Sequence, residues 1–301
     1  MIEKVREERN LTESSVKTYE TRLNTLLRVN GKAKTESLTF LKSITPEEIV
    51  KKLDTLSMSM KGNVLTVVLV AGKILGLDEK TMKYYSNEKL KNQEKYLDSK
   101  NTQKMSDKEE ENWVDLKTLK KIPDYWKREY IKSPSEFNAK CWLVSALYVT
   151  ANYMPPVRGN VFIKMRYYNE DPKEKGMNYF VNGENKYFVF GDHKTIKANG
   201  KQVTRIPKNS KILGALRAYR KYNDTDYFLL NDNEEPFAQV QFTRFLYRVF
   251  EKTGKKVSST MLRKIFISDY FKSDKSKLNR QKLAKKMLHS VGVQALVYEK
   301  K

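Results

Sequence analysis

The stretch KMLHSVGVQALVYEKK, residues 286–301, decides how the rest of the chain is read. It places His289 nine residues before Tyr298, with only Glu299, Lys300 and Lys301 after the tyrosine. Working outward, STMLRKIF (259–266) carries Arg263 in a run with helical periodicity. FGDHKTIKANGKQVTRIP (190–207) carries Lys194 between two strand-like runs, and PPVRGN (155–160) carries Arg158 after a proline pair. Any one of these motifs alone is weak. Their joint order and spacing is the signal.

Composition narrows the field independently. Lys and Arg total 59 against 36 Asp and Glu, a formal charge of +23 over 301 residues. Such an excess suits a surface that meets a polyanion, where each neutralised phosphate releases counterions. The bland alternative is a lysine-rich proteome. A membrane surface fits less well, because no stretch approaches ~20 apolar residues and no basic amphipathic helix stands apart. The N-terminus, MIEKVREERN, is charged and does not read as a signal peptide. The expected location is therefore intracellular.

Cys141 is the one cysteine, so neither an intramolecular disulfide nor a multi-cysteine zinc site is available. It lies in the apolar run CWLVSALYVTANY and reads as an inert core residue. His193 and His289 are the only histidines, which excludes mechanisms that need several. No metal or other cofactor is expected. At this length two modest cores, hence two domains, are the default.

The first segment reads as helical. Thr12 is a candidate N-cap, Val16, Tyr19, Leu23, Leu26 and Leu27 follow at helical spacing, and Gly31 can end the helix. Thr45-Pro46-Glu47-Glu48 offers a cap, a first-turn proline and a capping-box glutamate. Residues 64–75 read as a buried helix with Gly72 as a weak or close-packed point, and 79–97 as a fourth helix. Such a set makes a small bundle. The polar stretch 98–106 reads as a linker between a helical domain, 1–100, and a second domain, 101–301. Ser106 and Glu109 are placed for another capping box, so the acidic run that follows reads as a solvated helix start rather than a metal site.

The second segment is mixed. A buried helix is expected over 135–153. Three strand-like runs follow at 178–183, 186–193 and 202–207, separated by turns at Asn182-Gly183-Glu184 and Ala198-Asn199-Gly200. They predict a three-stranded antiparallel sheet. Helices are expected at 210–222, 238–253, 258–271, 278–288 and 291–300. The fold class is thus mainly α with a small antiparallel sheet, an α+β arrangement.

In their order, Arg158, Lys194, Arg263, His289 and Tyr298 resemble the active site of the tyrosine recombinases, the phage-integrase family. The resemblance is at the level of motifs, over roughly residues 10–301. Arg158 matches the first family arginine and Lys194 the lysine of a β-hairpin that enters the minor groove. Arg263 matches the arginine of the His-x-x-Arg box, His289 the Gly-His-Ser box, and Tyr298 the nucleophile. The resemblance implies a helical core-binding domain and a catalytic domain that together form a C-shaped clamp on double-stranded DNA. It also implies a homo-tetramer on two DNA sites and a metal-independent reaction through a 3′-phosphotyrosyl link. The residue types fit those roles. Planar guanidinium groups clamp phosphate oxygens, a tyrosine is a competent covalent nucleophile, and a lysine among cations is a competent acid.

Two positions depart from the pattern. Thr260 stands where the first histidine of the His-x-x-Arg box is usual, and its hydroxyl can donate to a phosphate oxygen but cannot do acid–base work near neutral pH. Either the base role is dispensable, or His193 or a water takes it. Leu288 stands where a glycine usually precedes the second histidine. Many members also continue past the tyrosine with a helix that docks on a neighbouring protomer. Here either assembly uses other surfaces or the sequence is part of a longer one. The chain reads as a minimal recombinase or the core of an integrase, and its Lys- and Asn-rich composition fits a viral or mobile element. A type IB topoisomerase-like enzyme and a non-catalytic DNA-binding relative are the alternative readings.

Overall fold

A computed structural model describes residues 2–9, 11, 13–149, 154–273, 277–290, 292 and 299–300. The chain divides into two compact units, Met1–Thr102 and Gln103–Lys301. The expected cap at Thr12 and most of the expected helix over 291–300, including Tyr298, lie outside the described residues.

The first unit is helical: α1 (Ile2–Arg9), α2 (Glu13–Val29), α3 (Pro46–Leu53), α4 (Met58–Leu75) and α5 (Glu79–Asn101). Local chemistry starts each of the last three. Thr45 Oγ1 accepts from Glu48 N at 3.3 Å, Ser57 Oγ from Met60 N at 3.4 Å and Asp78 Oδ1 from Thr81 N at 2.9 Å. Gly76, at φ +68°, ends α4, with Leu77 N donating to Gly72 O. Leu23, Leu26, Leu27, Ile49, Leu53, Val64, Leu65, Val68 and Tyr85 form the core. α4 has the length and apolarity of a membrane span, but its Val64, Leu65, Val68 and Ala71 are fully buried in this core. Two boundaries differ from the sequence reading. α4 starts at Met58, because the Ser57 cap precedes the apolar run by about two turns. α5 runs to Asn101, into the stretch read as a linker, because nothing in YLDSKN breaks a helix.

The second unit is built around α9 (Glu136–Val149), whose Ala139, Cys141, Leu143, Val144, Ala146 and Leu147 are all buried. Before it come the short α6 (Asp107–Glu111) and α7 (Leu116–Leu119), then α8 (Ile122–Lys132). The Trp126 indole of α8 donates to Val249 O at 2.7 Å. Burial drives the Cys141 thiol pKa far upward, which makes it an inert core group.

After α10 (Asn160–Ile163) the chain forms β1 (Arg166–Tyr168), β2 (Asn178–Val181), β3 (Tyr187–Phe190), α11 (Ile196–Asn199) and β4 (Gln202–Arg205). The sheet has four strands in the order β1-β2-β3-β4, not the three expected. It is mixed, not purely antiparallel: β1 runs parallel to β2, with Arg166 opposite Tyr179. β1 escaped notice because three half-buried residues show no alternation over a readable length. Opposed positions on the sheet's core face are aromatic, Phe180 against Phe188, and Phe162 and Phe228 join them. Tyr179, Val181 and Val189 form a separate cluster on the other face. α12 (Lys211–Tyr219), α13 (Gln239–Val249), α14 (Ser259–Ser273) and α15 (Lys277–Lys286) complete the unit.

The β3–β4 connection is longer than a tight hairpin, since it contains α11. It leaves β3 through Gly191, whose N–H donates to Met177 O at 3.1 Å. A Cβ there would lie 2.5 Å from that carbonyl oxygen, and backbone cannot yield as a side chain does. Gly191→Ala is therefore expected to lower unfolding free energy by about 1–3 kcal/mol, read from urea melts. Unchanged stability would mean that the strand end tolerates displacement.

Candidate active site

Three chain segments meet at the C-terminal end of α15. The helix closes with Leu288 in the left-handed region at φ +56°. Leu288 N donates to Lys285 O at 3.1 Å, and His289 N donates to Ala284 O at 3.1 Å. This is the two-bond cap that usually has glycine at the left-handed position. A leucine there costs about 1–2 kcal/mol of backbone strain, and its side chain, 1% exposed, is held by the main core cluster.

The cap leaves the carbonyls of Met287 and Leu288 without helical donors, and two arginines take them. Arg158, at the entry to α10, donates from Nη1 to Leu288 O at 3.1 Å. Arg263, in α14, donates from Nη2 to Met287 O at 3.4 Å and also contacts His289 Nδ1. The negative end of the α15 dipole favours both cations. Arg158 and Arg263 lie 105 positions apart in the chain, and packing brings them together for identifiable reasons. Gly159 has no room for a side chain, because a Cβ would lie 2.9 Å from Phe242 Cδ1 and 3.5 Å from Ser259 Oγ. That approach sets the Arg158 turn against α13 and the start of α14. Ser258 Oγ caps α14 by accepting from Met261 N at 3.2 Å.

Arg263 and His289 are each 1% exposed, whereas Arg158 is half-buried. A guanidinium only donates, so His289 Nδ1 is the acceptor and the ring proton sits on Nε2. Burial, then the charges of Arg263 and Arg158, bring the His289 pKa down to about 3. The imidazole is therefore neutral across the physiological range, and what it can offer an anion is an N–H donor.

The other site residues fall out differently. Lys194 is exposed, in the turn before α11. Its connection is tied to the site, because Asn199 Nδ2 of α11 lies 3.5 Å from His289 O. Thr260 is exposed, one turn before Arg263, and the cap of α14 is Ser258. Tyr298 lies outside the described residues. His193 does not meet the description of a replacement base. Its Nε2 donates to Gly200 O and its Nδ1 faces the Thr195 hydroxyl, both at 3.2 Å, so the ring pins the two ends of its own loop. Burial, the largest cause, lowers its pKa. Asn199 and the caps at Ser258 and Leu288 were not read from sequence as site-forming. Only Leu288 carried a signal, as a departure from glycine. Among the described residues no group of three or more His, Cys, Asp and Glu side chains is placed to hold a metal ion.

Two outcomes follow from this geometry. The His289 pKa is depressed relative to 6.5, so its stabilising effect is complete above pH 6.5 and is lost as pH falls toward about 3. The unfolding free energy should carry an extra slope of about 1.4 kcal/mol per pH unit in that window. The slope should vanish in His289→Gln, as read from urea melts at stepped pH. Leu288→Gly relieves backbone strain but empties a packed position, and the cavity should win, with a net loss of about 1–3 kcal/mol. A more stable Leu288→Gly protein would show that the leucine side chain contributes little.

No protein-family model matches the sequence, and neither does any curated protein. Solved structures do match. XerH, a site-specific recombinase bound to its palindromic difH substrate in a post-cleavage complex, aligns with 98% of this chain and 79% of its own at 14% identity, with a TM-score of 0.57. A lambda integrase tetramer bound to a Holliday junction aligns with 99% of this chain and 75% of its own at 11% identity, with a TM-score of 0.54. XerA recombinase aligns over the whole chain and 91% of its own at 14% identity, with a TM-score of 0.42. Mostly helical, with a small mixed sheet of four strands, the chain has the fold of the tyrosine recombinases.

Proposed function

We propose that this chain is a site-specific DNA recombinase that cuts and rejoins strands through a 3′-phosphotyrosyl intermediate. The observation that carries the reading is the convergence of Arg158, Arg263 and His289 on one helix end. Two guanidinium groups and an imidazole N–H donor are a fitting set for a phosphodiester in transition to pentacoordinate phosphorus. The fold, shared with DNA-bound recombinases, and the +23 charge point the same way.

In this mechanism the Tyr298 phenol oxygen attacks phosphorus and the bond to the 5′ oxygen breaks. Lys194 gives its ammonium proton to the leaving oxygen, and the phenolic proton passes to water. Arg158 and Arg263 hold the non-bridging oxygens, and His289 and Thr260 donate hydrogen bonds to them. Attack by a 5′ hydroxyl reverses each step and rejoins the strand. The bond energy stays in the phosphotyrosine, so no nucleotide is needed. The first unit would act as the core-binding domain on the opposite face of the duplex, and exchange would need four protomers on two sites.

The test is covalent capture on a random pool of nicked duplexes. Wild type should give an SDS-resistant protein–DNA band. Tyr298→Phe should give none while keeping salt-sensitive DNA binding within about twofold. A band with Tyr298→Phe would name the wrong nucleophile. No band with either protein, despite binding by both, would favour the non-catalytic DNA-binding reading. Relaxation of supercoils by monomers without pairing of two sites would favour the topoisomerase reading.

A further inference from the structure

The acidic run at the start of α6 reads from sequence as a solvated helix start. Glu109 behaves differently, with a side chain only 14% exposed. One carboxylate oxygen accepts from Ser106 N at 2.9 Å, closing the capping box. The same carboxylate pairs with Lys264, the residue after Arg263, and lies 3.5 Å from Lys300 Nζ, two residues past Tyr298. Lys300 is itself buried, at 7% exposure. Its N–H donates to Ser268 Oγ of α14 at 2.8 Å, and its ammonium donates to Lys104 O at 3.1 Å. Glu299 closes the arrangement from the other side, through a two-bond pair with Arg280 of α15 at 2.7 and 3.3 Å. Arg280 also lies over the Phe271 ring at 4.2 Å, which holds its fork in place.

We infer that Glu109 is a positioning residue that ties the tail bearing Tyr298 to the arginine helix of its own chain. A single carboxylate pairs with a cation next to the arginine and with a cation beyond the tyrosine. Both pairs are largely removed from water, where solvent and salt screen them little. The cost of separating opposite charges in a largely buried place favours the paired state over a released tail. Lys300 and Glu299 add anchors on α14, α15 and the segment before α6, so the attachment does not depend on one bond. The positioning role rests on Tyr298 being the nucleophile, but the anchoring itself does not.

Two readouts separate the parts. Hydrogen exchange of peptides spanning 290–301 reports the tail directly and needs no DNA. Glu109→Gln should raise exchange there by roughly tenfold or more, and Lys300→Met should do the same. The double variant should fall short of the sum of the two single effects, because the two residues share one contact. Unchanged exchange in Glu109→Gln would overturn the anchoring. On nicked duplex, Glu109→Gln should slow single-turnover adduct formation roughly ten- to a hundredfold, with DNA affinity within about twofold of wild type. Equal loss of rate and affinity would mark a merely structural role, and a faster adduct would mark the tail as a brake; either overturns the positioning role. If wild type forms no adduct while the exchange result holds, the enzyme reading fails and the anchor stands.

Discussion

The convergence of Arg158, Arg263 and His289 depends on how one helix ends. The last carbonyls of a helix have no partners within it and must find donors elsewhere. At the end of α15 the left-handed turn at Leu288 satisfies those of Ala284 and Lys285 from the backbone. Those of Met287 and Leu288 go to Arg263 and Arg158. Because carbonyls rather than carboxylates receive these guanidinium contacts, they orient the groups without adding a formal negative charge. The same turn delivers His289 against Arg263, where burial and positive charge keep it neutral. A cap, two cation positions and a protonation state thus come from one geometric event.

That event needs its surroundings. Leu288 adopts an unfavourable conformation because its side chain is in the core, so the strain is offset by packing rather than avoided with glycine. Arg158 reaches the helix end because Gly159 lets its turn approach Phe242 and Ser259. The β3–β4 connection is tied in through Asn199, and His193 closes that loop on itself instead of facing a substrate. Core packing, a glycine's missing side chain and a pinned loop act together, and none of them carries chemistry of its own.

Charge works at two scales. Over the whole chain, the excess of lysine and arginine favours any polyanion and carries no instruction about where it binds. Locally, carboxylates arrange the cations. Glu136 and Asp232 hold the buried Lys140, and Glu109 joins Lys264 and Lys300. Of these acidic groups Glu109 is largely taken out of water while Glu136 and Asp232 stay exposed, and together they shape the unit more than their number implies.

By itself the sequence determined the elements whose signals are local. Helix starts at Thr45 and Asp78, the end of α4 at Gly76, the amphipathic and buried runs and the strands around Phe180 and Phe188 all follow from propensity, capping and periodicity within a few residues. The order of Arg158, Lys194, Arg263 and His289 was legible too, because spacing along a chain is a sequence property. What only the tertiary structure decided concerns partners far apart in the chain. These are the parallel pairing of β1, the sharing of one helix end by two arginines, the neutrality of His289 and the burial of Glu109. Each depends on which groups lose water together, and that is set by packing between segments, not by the residues on either side.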